Sequence, residues 1–430
     1  MTNVIEDGPL PSLYDADIDT LAKGLACGEF TSHTYNARIH GVNHDLSAVT
    51  EINPDALSIA SALDTSGQAV QFGASGSRGH YFGETNPSEW GNFRISLNSS
   101  NGWSAYGGQT CGPFYPHQDP SGSSSGSGGS CVPRLGLAAL CLGGETAGSI
   151  IDPASYNNIM EPTSIAGVDP FNNYNSAIPS HADLDLVGAC KLTALAGARL
   201  GVPRNVLSLM ASNEAMIKAF DKSLHVLRSA GALVIENTNF PAAKEFINNS
   251  LLSAQIMGGD FVVNMEKYLK HPLEGYPDKP TELWDAALQN WNNTEYGFWR
   301  AYQQGLYYGD EGGLLGAIKR YNLDAIVLPS HFSWDWAAVA GAPIVSVPIG
   351  AMPPGQPIVS DADGLVSAAP NIPFGFSFLG ARFTDAKLIG LGYAFEQRTM
   401  IRKTVHPYIA PRTDLGSVVG EARRVERILE

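Results

Sequence analysis

The chain predicts an α/β protein whose sheet is mainly parallel or mixed and covered on both faces. Three observations carry that prediction. Apolar stripes at helical spacing alternate with short apolar strands along most of the chain. A strand–helix–strand unit stands clearly near residue 200, and the same grammar recurs after residue 313. Of 430 residues, 44% are hydrophobic and 16% charged, enough apolar material for a large core; length alone suggests two or three domains, although large mixed-sheet enzymes also occupy this range as a single unit, here residues 1–430.

Taken in order, residues 15–26 place Ile18, Leu21, Ala22 and Leu25 on one helical face and stop at Gly28. A second helix is expected over 53–63, with Asn53 as N-cap and Pro54 in the first turn. Residues 65–83 follow neither a helical nor a strand period and read as loop. Residues 198–202 and 232–235 read as strands on either side of a helix over 214–230 carrying Ile217, Phe220, Leu224 and Leu227. A helix with Leu314, Leu315 and Ile318 precedes strands over 324–329, 343–348 and 374–379. Thr384 then opens a helix with Leu388, Leu391 and Phe395 together. No internal repeat is present.

A formal net charge of -15 argues against a nucleic-acid partner, because such a surface repels a phosphate backbone. The first residues lack a basic start followed by an apolar run, and no segment approaches the roughly 20 apolar residues that span a bilayer, so the expected setting is cytoplasmic, away from membranes. Cys27, Cys111, Cys131, Cys141 and Cys190 are odd in number and scattered, without metal-site spacing, and are expected to be buried thiols. No metal or organic cofactor is expected.

The chemistry concentrates in residues 121–149. A Ser/Gly run, Ser121 to Ser130, leads through Leu135, Leu137, Leu140 and Leu142 to Gly143-Gly-Glu-Thr-Ala-Gly-Ser149. Glycine lets a backbone turn its N–H groups toward a ligand, and the hydroxyls can serve as nucleophile or proton relay. The expected arrangement is two glycine-serine loops bracketing one short buried helix. Trp90, Trp103 and Tyr106 read as pocket lining or plain core, and Trp334-Asp-Trp336, after a strand end, as a lid over a ligand or a packed loop.

These loops, together with Gly83-Glu-Thr-Asn-Pro-Ser-Glu-Trp-Gly-Asn-Phe93, Ser99 to Gln109, Pro153-Ala-Ser155 and the stretch from Asn371 to Gly380, resemble the amidase signature family, its fungal members in particular. The resemblance covers most of the chain. It implies an α/β/α sandwich around a large mixed sheet and hydrolysis of a small carboxamide by a Ser–cis-Ser–Lys triad. It also implies Ser149 as nucleophile and Ser123 as the bridging serine after a cis peptide, with Ser124 its neighbour. The N–H groups of Thr146, Ala147, Gly148 and Ser149 would form the oxyanion hole.

The family's lysine has no counterpart, for no lysine stands between Lys23 and Lys191, and Lys191 falls on a stretch the family places in its covering layer. The chain is truncated relative to the family near 64–82, where that lysine belongs, and again near 161–166. A serine without a base is a poor nucleophile. His80 lies in the first shortened segment and His181 near the second, each readable as a substitute base or as a surface or hydrogen-bonded histidine. Three readings follow: a hydrolase impaired by the lost lysine, a degenerate member that binds a ligand or acts without hydrolysis, and a chain from which two coding segments are missing. The first gap is also expected to expose sheet surface, lowering stability or promoting self-association.

Overall fold

The computed structural model describes residues 12–14, 20, 33–55, 58, 83–93, 100–132, 135–138, 140–162, 176–179, 185–210, 213–249, 251–268, 288–290 and 292–414. In chain order the elements used below begin with α1 (His33–Leu46), β1 (Val49–Ile52), β2 (Gly83–Thr85), β3 (Trp103–Ser104) and β4 (Gly108–Gln109). Next come α2 (Ser125–Ser130), α3 (Ile151–Tyr156), β5 (Glu161–Pro162), β6 (Arg199–Val202), α4 (Arg204–Met210), α5 (Glu214–Ser229) and β7 (Leu233–Glu236). The remainder are α6 (Ala243–Asn248), α7 (Leu252–Tyr268), α8 (Tyr296–Gly309), α9 (Leu314–Tyr321), β8 (Ala325–Pro329), α10 (Trp334–Ala340), β9 (Ile344–Ala351), β10 (Val359–Ser360), β11 (Val366–Ala368), β12 (Pro373–Leu379) and α11 (Asp385–Thr399).

Six strands form the main sheet in the order β5-β9-β12-β8-β6-β7. It is mixed: β6 runs parallel to β7 and β8, whereas β12 is antiparallel to β8 and β9, and β5 is antiparallel to β9. The expected strand–helix–strand unit is β6, α5 and β7, with Arg199 opposite Leu233. Helix α5 starts where Asn213 accepts the Met216 N–H at 3.1 Å, and its Met216, Phe220, Leu224 and Leu227 are buried. The strands expected at 324–329, 343–348 and 374–379 are β8, β9 and β12. Thr384 precedes α11, but its hydroxyl donates to the Ala381 carbonyl at 2.7 Å instead of capping the helix.

Strand β12 is buried throughout, and its pleat separates two kinds of contact. Phe376 and Phe378 share one face, where Phe220 of α5 and Phe395 of α11 meet the Phe376 ring edge-on at 6.3 and 4.7 Å between centroids. Gly375 and Ser377 face the other way. There Ser377 donates to Ser330 at 2.9 Å, and Ser330 lies 2.8 Å from Ser346, so three buried hydroxyls satisfy one another. The Gly375 N–H donates to Ser155 of α3 at 2.9 Å. A side chain at Gly375 would overlap the Val347 carbonyl, which is why α3 settles here on glycine.

Several expectations fall on undescribed residues: the helix at 15–26, most of that at 53–63, the loop at 65–82, His80 and His181. One expectation is reversed. Residues 125–130, expected as a loop, form helix α2, and none of the described residues from 135 to 142, expected as helix, is helical. Serine and glycine are weak helix formers, so packing decides: all six residues of α2 are buried, and a Cβ at Gly126 would stand 2.3 Å from the Ala48 carbonyl. The apolar stretch is held open by Arg38 of α1, fully buried, whose guanidinium donates to the Leu135 and Gly136 carbonyls at 2.5 to 3.1 Å. Leu135 and Leu137 consequently stay inside, while Leu140 and Leu142 are exposed.

Among the described residues no helix is long and apolar enough to cross a membrane, and no cluster of His, Cys, Asp and Glu could hold a metal ion.

Candidate active site

The two loops are fastened to each other along their length. The Ser124 N–H donates to the Ser149 carbonyl at 2.9 Å, the Gly144 N–H donates to the Ser124 hydroxyl at 3.2 Å, and the Ser127 hydroxyl donates to the Leu142 carbonyl at 2.6 Å. Cys131 and Cys141 form a disulfide with their Cα atoms 6.0 Å apart. This corrects the expectation of five buried thiols: two of them, ten positions apart on either side of the apolar stretch, are paired. Cys111 and Cys190 are free.

Ser123 and Ser149 are both half-buried. The Gly122–Ser123 peptide is cis, and the Ser123 carbonyl accepts the Ser88 N–H at 2.9 Å. Gly122 is hemmed in by Asn101, Asn92 and Ser88, whose atoms would stand 2.7 to 2.8 Å from any Cβ. Asn101 in turn donates to Asp119 at 3.2 Å. The Ser123 hydroxyl lies toward the turn at Trp90 and Gly91, 3.8 Å from where a Gly91 Cβ would stand. Trp90 and Trp103 are half-buried and Tyr106 is 72% exposed, so the three aromatics are not core.

On the other loop, Glu145 gathers the start of α3. Its carboxylate accepts N–H groups from Gly148, from Ile150 at 2.5 Å and from Ile151 at 3.1 Å. A carboxylate at a helix N-terminus meets both orphan donors and a favourable dipole. Burial nevertheless pushes the Glu145 carboxyl up, against the pull of those donors. Gly148 therefore donates to Glu145 and is removed from the expected oxyanion hole. No described residue accepts from the N–H groups of Thr146, Ala147 or Ser149. Replacing Glu145 with Ala strands three part-buried donors and is expected to lower stability by about 2–4 kcal/mol, read as a drop in the denaturant midpoint.

Gly148 has φ +96°, and a Cβ there would lie 2.9 Å from the Trp334 indole. Trp334 is thus packed onto the Ser149 loop. Trp336 goes the other way, 1% exposed, its ring 4.7 Å from Phe240 and 4.4 Å from Phe246. The run thereby splits between site and core. A cleft of about 310 Å³ opens beside Trp334, with Glu145, Thr146, Pro343, Ile344 and Arg382 in its walls.

Sequence reasoning missed the ionisable groups here. Asp152, in the first turn of α3, points one carboxylate oxygen toward His331 Nδ1 at 3.9 Å. The Asp152 carboxylate holds the His331 imidazolium above its ordinary range, and burial with Asp152 nearby pushes Asp335 up to about 6. The signal available was position: His331 follows the end of β8, where ligands of α/β sheets collect. Of the flanking lysines, Lys191 is exposed and Lys23 is undescribed.

A mixed-sheet α/β protein with two serines on interlocked glycine loops is the class that fold and site define. The Amidase family matches residues 79–160. A protein of Arthroderma benhamiae described as an amidase is 35% identical, over 95% of this chain and 90% of its own. One of Arabidopsis thaliana, also described as an amidase, is 29% identical over 75% and 68%. The native peptide amidase of Stenotrophomonas maltophilia superposes with a TM-score of 0.75 at 25% identity, covering 93% of this chain and all of that one. The chain belongs to the amidase family, and its fold is that of the amidase-signature proteins. The alignment with the Arthroderma benhamiae protein is 536 residues long against a chain of 430, so more than a hundred positions of that relative have no counterpart here.

Proposed function

We propose that the chain is a carbon–nitrogen hydrolase of small carboxamides, with Ser149 as nucleophile and Ser123 receiving its proton, and that its turnover is slow because no lysine completes the triad. The observation that supports the reading is the fastening of the two loops, above all the main-chain bond from Ser124, the neighbour of Ser123, to Ser149. The N–H groups of Thr146, Ala147 and Ser149 stabilise the oxyanion; Gly148, bound to Glu145, does not. Similarity to a peptide amidase makes peptide amides the first substrates to try. A non-hydrolytic, ligand-binding role is favoured by one observation, the absence of lysine from residues 24–190.

The purified chain, treated with a fluorophosphonate and digested, is expected to carry the label on Ser149, and to release ammonia slowly from benzamide, short aliphatic amides or peptide amides. A Ser149 peptide without label, together with no ammonia from any of these amides, would leave the ligand-binding role.

A further inference from the structure

The chain has no lysine in residues 24–190, yet it keeps a half-buried carboxylate behind an imidazole next to the Ser149 loop. Ser149 and Asp152 belong to one turn, closed by the Asp152 N–H on the Gly148 carbonyl at 2.9 Å. The Asp152 side chain is 14% exposed, and its Oδ1, buried and without a hydrogen-bond donor among the described residues, is the atom that faces His331. The His331 side chain is 47% exposed, so its ring reaches solvent while Nδ1 is turned to Asp152. The chain continues from His331 to Trp334, which lies on Gly148. Both ends of the Ser149 turn therefore touch the segment that carries His331.

Resting on the reading of Ser149 as nucleophile, we propose that His331 replaces the missing lysine as general base, with Asp152 as its positioning residue. In the step, the Ser149 proton passes through the Ser123 hydroxyl to His331 Nε2 as Ser149 Oγ bonds to the amide carbon. His331 then gives a proton to the leaving nitrogen as the carbon–nitrogen bond breaks. His331 next deprotonates a water whose oxygen bonds to the acyl carbon, and returns that proton to Ser149 Oγ as the ester bond breaks and the acid leaves. Asp152 orients Nδ1 and steadies the imidazolium, a division of labour that other serine hydrolases use on unrelated folds.

The groups facing His331 are Asp152 and Tyr156 of α3 and Asp335 of α10. Both carboxylates favour the protonated ring, so the base becomes active above the ordinary histidine range, and the rate rises toward alkaline pH.

The test is the rate of fluorophosphonate labelling at Ser149 against pH, measured without any amide substrate. His331→Gln is expected to slow labelling at least about 100-fold and to remove the pH limb. Asp152→Asn should move that limb to lower pH, an effect that simple loosening of the loop does not produce. His331→Gly, with added imidazole, should regain part of the rate, which separates lost chemistry from lost folding. Labelling of His331→Gln at the parent rate with the parent pH profile would overturn the proposal while leaving Ser149 as nucleophile. A parent chain in which Ser149 takes no label overturns the nucleophile reading, and the proposal with it.

Discussion

Restoring a lysine-bearing segment from the Arthroderma benhamiae relative between residues 64 and 82 is expected to raise amide turnover by about 10⁴-fold. The expectation follows from what remains in place. Two serine loops are locked together by Ser124, Ser127 and the Cys131–Cys141 bridge, and the start of α3 is gathered by Glu145. Oxyanion donors stabilise charge on the carbonyl oxygen but cannot remove a proton from serine. A lysine supplied in the family's position is therefore expected to take the serine proton. Ammonia release from benzamide and a peptide amide, in the parent and the restored chain, measures the gain. An unchanged rate in a restored chain that is folded by circular dichroism would show that the second gap, near 161–166, has also cost the site its geometry.

In that restored chain, Ser149→Ala is expected to lower turnover at least about 10³-fold, because removing the nucleophile of a cooperative catalytic unit forfeits nearly all that the unit does together. Ser123→Ala should act in the same direction. The unmodified chain provides the control, since Ser149→Ala there should abolish fluorophosphonate labelling while leaving the melting temperature within about 2 °C, as expected for a half-buried serine whose carbonyl, not its hydroxyl, makes the loop contact. Turnover by the restored Ser149→Ala chain at the rate of its parent would move the nucleophile elsewhere in the loops.

Helices and strands from residue 198 onward were legible because each carries its own period. Leu224 and Leu227 repeat as a helix face, and Phe376 and Phe378 as a strand face, whatever their neighbours do. The parallel pairing of β6 and β7 follows from the helix between them. Around residues 121–142 local preference pointed the wrong way. A Ser/Gly run has almost no intrinsic tendency to form a helix, and α2 exists because Ala48 and Asn86 press on a backbone that only glycine lets so close. Leucines at helical spacing failed to make a helix because Arg38, distant in sequence, captures the Leu135 and Gly136 carbonyls.

By itself the sequence determined the α/β class, the amidase-family likeness, the two serine loops and the absence of a lysine from residues 24–190, since each is a matter of residue type and spacing along one chain. The tertiary structure alone decided that Gly148 donates to Glu145, that Trp334 lies on the Ser149 loop while Trp336 joins the core, that Cys131 reaches Cys141, and that His331 stands 3.9 Å from Asp152 across 179 positions of sequence. Hydrogen bonds and charge pairs depend on separations of a few ångströms, and chain separation says nothing of those until the sheet order has placed the end of β8 beside α3.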